Sequence, residues 1–67
     1  MLNLFEVKPG QCVRLKSGAV CEVVENIGDG IWLQLRTLSH PSDESQVGTD
    51  ELVHCEEMVG LVDGVKT

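Results

Sequence analysis

Cys12-Val13-Arg14-Leu15-Lys16-Ser17-Gly18-Ala19-Val20-Cys21-Glu22-Val23-Val24 is the stretch on which the fold depends. Polar and apolar residues alternate on both sides of Ser17-Gly18-Ala19, the period of half-buried strands, and Lys8-Pro9-Gly10-Gln11 ahead of them is a turn signal. The segment reads as a β-hairpin whose register keeps like with like. A two-residue Ser17-Gly18 turn pairs Arg14 with Cys21 and puts Glu22 on the face of Val13 and Leu15. A three-residue loop, Ser17 to Ala19, pairs Lys16 with Val20, Leu15 with Cys21, Arg14 with Glu22 and Val13 with Val23. The longer loop collects Val13, Leu15, Cys21 and Val23 on one inner face. It sets Arg14 against Glu22 outside, a cross-strand ion pair of roughly 0.2–1 kcal/mol, and uses Gly18 where such loops want a left-handed residue. Cys21 then faces the core and Cys12 the outside, across from Val24, so the two thiols neither bridge nor share a metal.

Outward from the hairpin the pattern stays that of strands. Asn26-Ile27-Gly28-Asp29-Gly30 is a second turn. Ile31 to Thr37 follows, with Ile31, Leu33 and Leu35 inward and Trp32, Gln34 and Arg36 outward. Residues 38–50 form a long polar loop, of a length at which loops are usually functional or mobile. Glu51 to Cys55 reads as a fourth strand, Glu56-Glu57 as a short helical turn and Met58 to Val62 as a fifth strand. No stretch sustains a helical period over ten residues, and there are no internal repeats. The expectation is an all-β chain: one domain over residues 1–67, a small, five-stranded, strongly bent antiparallel barrel of the SH3-like kind. Residues 1–8 form an N-terminal arm, and Val13, Leu15, Cys21, Val23, Ile31, Leu33, Leu35, Val53, Val59 and Leu61 supply the core.

Composition excludes several classes of function. A chain of 67 residues buries only about 60% of its unfolded surface, which limits it to one domain, while 42% hydrophobic residues argue against disorder. The 11 acids against 5 bases give a net charge of −6, the wrong sign for a nucleic-acid binder. The imbalance is local. Residues 1–42 hold Glu6, Glu22, Glu25 and Asp29 against Lys8, Arg14, Lys16 and Arg36. Residues 43–67 hold Asp43, Glu44, Asp50, Glu51, Glu56, Glu57 and Asp63 against Lys66 alone. This acidic surface reads as a solvated face or as one that steers a basic partner. No apolar run approaches the ~20 residues that span a bilayer, and the start lacks the basic and apolar regions of a secretory signal. Cys12, Cys21 and Cys55 are odd in number and lack CxxC spacing, which favours a reducing cytoplasm.

About a dozen inward residues must offset the ordering entropy of the whole chain, and at this size the balance falls near zero. No disulfide or evident metal adds to it, which leaves oligomerisation. Trp32 and Val24 on the outer face, with Val20 nearby and Phe5 on the arm, are the candidate oligomer or partner interface.

The run Pro9 to Ala19 resembles the opening hairpin of two small bacterial families. One is the type II dihydrofolate reductases, SH3-like barrels that assemble as tetramers and travel on mobile gene cassettes. The other is the YodC-like group, similar in its Leu15-Lys16-Ser17-Gly18 turn and in Gly28-Asp29-Gly30 before Ile31-Trp32. The resemblance covers the first 37 residues and implies a homo-oligomeric barrel, dimer or tetramer. The reductases line a central, positively charged pore with a Val-Gln-Ile-Tyr segment. This chain has no tyrosine, its nearest segment is Ser45-Gln46-Val47-Gly48-Thr49, and its later part is acidic.

Other chemistry finds little support. His54-Cys55 with Glu56-Glu57 is the densest set of potential ligands, but neighbours on a strand point to opposite faces and cannot easily grip one metal. His40 could join only from the long loop. Cys55 in a strand reads as a small hydrophobe rather than a nucleophile. Gly28 and Gly30 serve a turn without the helix a phosphate cradle needs. Trp32 and Phe5 are too few for an aromatic cage or an RNA-stacking platform. Two functions remain: a non-catalytic, homo-oligomeric interaction module without cofactor, or a small-molecule binder or minor enzyme whose site forms at an oligomer interface, lined by Trp32, Gln34 or Arg36.

Overall fold

Val13 and Cys21 are Cα partners across the first hairpin, and both are fully buried. In the computed structural model, which describes residues 3–62, the strands are β1 (Cys12–Leu15), β2 (Val20–Asn26), β3 (Trp32–Ser39), β4 (Asp50–His54) and β5 (Met58–Leu61). Short 3-10 turns cover Leu4–Glu6, Glu44–Gln46 and Cys55–Glu57. The inner face of the hairpin holds Val13, Cys21 and Val23 as expected, with Leu15 half-buried. The register differs by two residues. Leu15 N–H donates to the Ala19 carbonyl at 2.9 Å, so the three-residue loop is Lys16-Ser17-Gly18. Arg14 lies opposite Val20, and Glu22 opposite Cys12 and Arg36. The expected Arg14–Glu22 pair is not made. Burial constrains only which face a residue takes, and a two-residue slip leaves every face unchanged. Gly18, at φ +95°, supplies the left-handed residue.

All five strands are antiparallel in one sheet of order β4-β3-β2-β1-β5: β1 to β4 form a meander, and β5 returns to pair with β1. The sheet is open, with β4 and β5 as its edges. It is not flat. At about 4.8 Å per strand its edges would lie roughly 19 Å apart, further than the four-residue step from His54 to Met58 reaches, about 14 Å at full extension. The sheet must curl, and register irregularities at Arg14/Leu15, Val20/Cys21 and between Val23 and Glu25 mark where the ladders break step. Val53 on one edge strand and Met58 on the other consequently join a single core with Val13, Cys21, Val23, Leu33 and Leu35.

The N-terminal arm completes that core. Leu4 and Val7 are buried while Phe5 between them is exposed, and the Asn26 amide ties the arm down by donating to the Leu4 and Val7 carbonyls, 2.7 Å each. Ala19 and Met58 are buried as well. Three residues expected inside are exposed. Ile31 lies in the turn before β3 begins. Val59 takes the outer phase of β5 because Met58, opposite Leu15 at the irregularity, takes the inner one. Leu61 shares Val13's face but ends an edge strand with no neighbour beyond it. The connection expected over 38–50 narrows to residues 40–49, because β3 runs through Ser39 and β4 starts at Asp50.

Candidate functional site

The β2–β3 turn is built by side chains that replace backbone partners. Asn26 Oδ1 accepts the Gly28 N–H at 2.9 Å, and Asp29 Oδ1 accepts the N–H groups of Ile31 (2.9 Å) and Trp32 (3.0 Å). Those two bonds hold the Asp29 carboxyl below the usual carboxylate range. Gly30, at φ +78°, lies directly under the Phe5 ring: a Cβ there would stand 2.7 Å from two ring carbons. The turn and the arm therefore present Phe5 (71% exposed), Ile27, Ile31 and Trp32 (38%) at one end of the molecule.

Of the four residues expected at an interface, the structure brings Phe5 to the turn that precedes Trp32. Val24 is exposed at the β2 irregularity. Val20 is half-buried at the opposite end of β2, roughly 13 Å along the strand from Val24. Ile27 belongs to no strand period, and Ile31 alternates with Leu33 and Leu35 and so reads as core, although β3 begins only at Trp32. Trp32 packs edge-on against His54, ring centroids 5.0 Å apart, across the β3–β4 ladder. Leu52, exposed opposite Gln34, extends the apolar surface along β4.

His54 and Cys55 are not on opposite faces of a strand. β4 ends at His54, whose Nδ1 accepts the Glu56 N–H at 3.0 Å and caps the next 3-10 turn, and Cys55 Sγ comes within 3.8 Å of the same nitrogen. The cap commits the Nδ1 lone pair and leaves the ring proton on Nε2. Among the described residues no three His, Cys, Asp or Glu side chains converge as a metal site would require. Cys21 is buried beside Thr37, its Sγ 3.7 Å from Oγ1; burial pushes its thiol up, moderated by that hydroxyl. Cys12 and Cys55 are half-buried, and all three thiols are free.

The acidic residues spread over three places: Asp43 and Glu44 in the 40–49 connection, Asp50 and Glu51 on β4, Glu56 and Glu57 before β5. All six are exposed. Two of them are engaged. Asp50 accepts from Arg36 Nε at 2.8 Å and Nη2 at 3.2 Å, the one ion pair among the described residues. Asp43 caps its turn, accepting from the Ser45 hydroxyl, the Gln46 amide and the Ser45 N–H. These contacts, the Arg36 guanidinium for Asp50 and the Ser45 hydroxyl first for Asp43, hold both carboxyl groups below their ordinary value of 3.8.

A pH dependence follows from Asp29, Asp43 and Asp50. Each has a folded value below the unfolded one, so its contribution to stability is complete above about pH 3.8 and fades as pH falls through the lowered folded value. Asp50→Asn is therefore expected to lower the urea midpoint more at about pH 6 than near pH 2. A midpoint difference that is the same at both pH values would refute the assignment.

A cleft of about 410 Å³ opens at the other end of β3, lined by Leu38, Ser39, His40, Glu44 and Val47. Trp32, Gln34 and Arg36 are not part of it. Comparison of the chain with protein-family models, curated proteins and solved structures finds no match. No helix among the described residues is long and apolar enough to cross a membrane.

Proposed function

We propose that the chain is a non-catalytic interaction module, an SH3-like barrel in its strongly bent form, that assembles with copies of itself as a dimer or tetramer. The curled five-strand sheet with its last strand beside its first supports the barrel reading. The observation that carries the functional reading is the exposed apolar end formed by Phe5, Ile27, Ile31 and Trp32. Scattered exposed apolar residues need no explanation, whereas aromatic and branched side chains gathered on a turn pinned by Asn26 and Asp29 form a rigid, low-entropy contact surface. The core beneath holds ten apolar residues among those described, so burying this end against a second copy adds appreciably to a small total. The exposed acidic residues and the 40–49 connection remain available to a protein partner.

Size-exclusion chromatography with light scattering at two concentrations about tenfold apart tests the premise. A mass that stays that of one chain at both would overturn it. Trp32→Ser is expected to weaken self-association by about tenfold or more while the β-sheet signal and the urea midpoint change far less. Equal loss of fold and assembly would instead mark Trp32 as part of the chain's own core.

A further inference from the structure

We infer that the cleft between the end of β3 and the 40–49 connection is a binding site for a small organic amine carrying an apolar body. Its walls are built in advance. The Thr37 N–H donates to the Thr49 carbonyl at 3.0 Å, and the Gly48 N–H to the Thr37 carbonyl at 2.7 Å, which closes the root of the connection. Pro41 folds against the first hairpin, its Cγ 3.0 Å from where a Cβ on Gly18 would stand. His40 is anchored by Nδ1, which accepts the N–H groups of Ser42 at 3.2 Å and Asp43 at 3.1 Å. The imidazole proton is thereby left on Nε2 as a donor.

The lining is open to solvent and combines two apolar walls with one charge. Leu38 and Val47 stay 40% and 48% exposed although both belong to an ordered frame, and they supply apolar walls. Glu44 supplies the charge. Its neighbour Asp43 is used up capping the 3-10 turn, and Asp50 is paired with Arg36. The Glu44 carboxylate forms no ion pair or side-chain hydrogen bond among the described residues. A cleft of about 410 Å³ falls within the usual range for small ligands. An ammonium group placed on Glu44 lets an attached ring or branched chain cover Leu38 and Val47, with His40 Nε2–H and the Ser39 hydroxyl left for a polar substituent. The net charge of −6 draws cations to this surface and repels anions.

Titration with phenethylamine, followed by nuclear magnetic resonance of the whole chain, tests the assignment. Saturable shifts are expected at Leu38, Ser39, His40, Glu44 and Val47, with a dissociation constant on the order of a few millimolar for so small a ligand. Phenylacetate, of the same shape and opposite charge, is expected to bind at least about fivefold more weakly. Glu44→Gln, an exposed and nearly isosteric change, is expected to weaken phenethylamine about fivefold and to narrow its preference over phenylacetate to what the remaining net charge supplies. Val47→Lys, which puts a cation on the cleft wall, is expected to abolish the response while the spectrum elsewhere stays that of the folded chain. No saturable shift up to about 50 mM amine, equal binding of phenylacetate, or a preference that Glu44→Gln leaves undiminished would each overturn the proposal.

Discussion

Asn26→Ala is expected to release the N-terminal arm and remove about 2–4 kcal/mol of stability. One side chain serves three partners: its amide donates to the Leu4 and Val7 carbonyls at 2.7 Å each, and its oxygen accepts the Gly28 N–H at 2.9 Å. Each bond is worth about 1 kcal/mol net, and a carbonyl left dry without a donor costs more. Leu4 and Val7 are 1% and 3% exposed, so the arm brings two core side chains with it when it lifts. A chain of this size has roughly 3–10 kcal/mol in all, which makes the loss a large fraction of the whole. Asn26→Asp is the informative control. It keeps the acceptor for Gly28 and turns a carboxylate oxygen toward two carbonyls, so it is expected to destabilise at least as much as alanine at neutral pH. Urea unfolding with amide exchange at Val7, whose N–H bonds the Leu4 carbonyl at 3.2 Å, measures both effects. A loss below about 0.5 kcal/mol would mean that the arm only rests on the sheet. Because the arm also carries Phe5, self-association is expected to weaken with it.

Leu33→Ala is expected to leave the chain largely unfolded near room temperature. Leu33 is 0% exposed on β3, which is paired on both sides, opposite Asn26 on β2 and Val53 on β4. Truncating such a leucine costs about 2–5 kcal/mol from lost transfer free energy and the cavity left behind, comparable with the whole stability of the fold. Leu33→Met, which nearly conserves volume, is expected to cost less than about 1.5 kcal/mol. The neighbouring Trp32→Ser provides the contrast, since its side chain lies on the opposite face of the same strand and its loss is expected in assembly. A Leu33→Ala chain with a native-like urea midpoint would show that the core seats elsewhere than the inner face of β3.

Strand positions were legible in the residue pattern because half-buried strands impose a period of two, and Val13, Cys21, Val23, Leu33, Leu35 and Val53 all follow it inward. Pro9-Gly10 and Ser17-Gly18 announced their turns, and Glu56-Glu57 its helical turn, through residues with specific backbone preferences. Other features had no such signal. Alternation is blind to a two-residue slip, so Arg14 could be matched to Glu22 on paper while Val20 is its partner in space. It is also blind to which residue enters a strand in phase. Met58 rather than Val59 is inside because the β1–β5 ladder shifts at Arg14/Leu15.

The candidate sites divide in the same way. An outward Trp32 could be read from the chain, since strand parity suffices, and Phe5 could be named on the arm without its exposure being decided. The placing of Phe5 against the turn that carries Ile27 and Ile31 could not, because Asn26 reaches across some twenty residues to Leu4 and Val7 to hold the arm there. The His54–Cys55 contact depends on a strand ending one residue earlier than its composition suggests, at a cap made by His54 itself. The amine cleft has no periodic signature, since Leu38, His40, Glu44 and Val47 converge only through turn caps and the pairing of Thr37 with Gly48 and Thr49. The excess of acid over base was likewise visible as a total and as a location, residues 43–67. Only the folded chain separates Asp43 and Asp50, engaged in a cap and an ion pair, from Glu44, which lines a cleft. Local residue pattern determines which way a side chain faces, because that depends on its own strand; which side chains meet depends on contacts between segments distant in the chain, and those the tertiary structure alone decides.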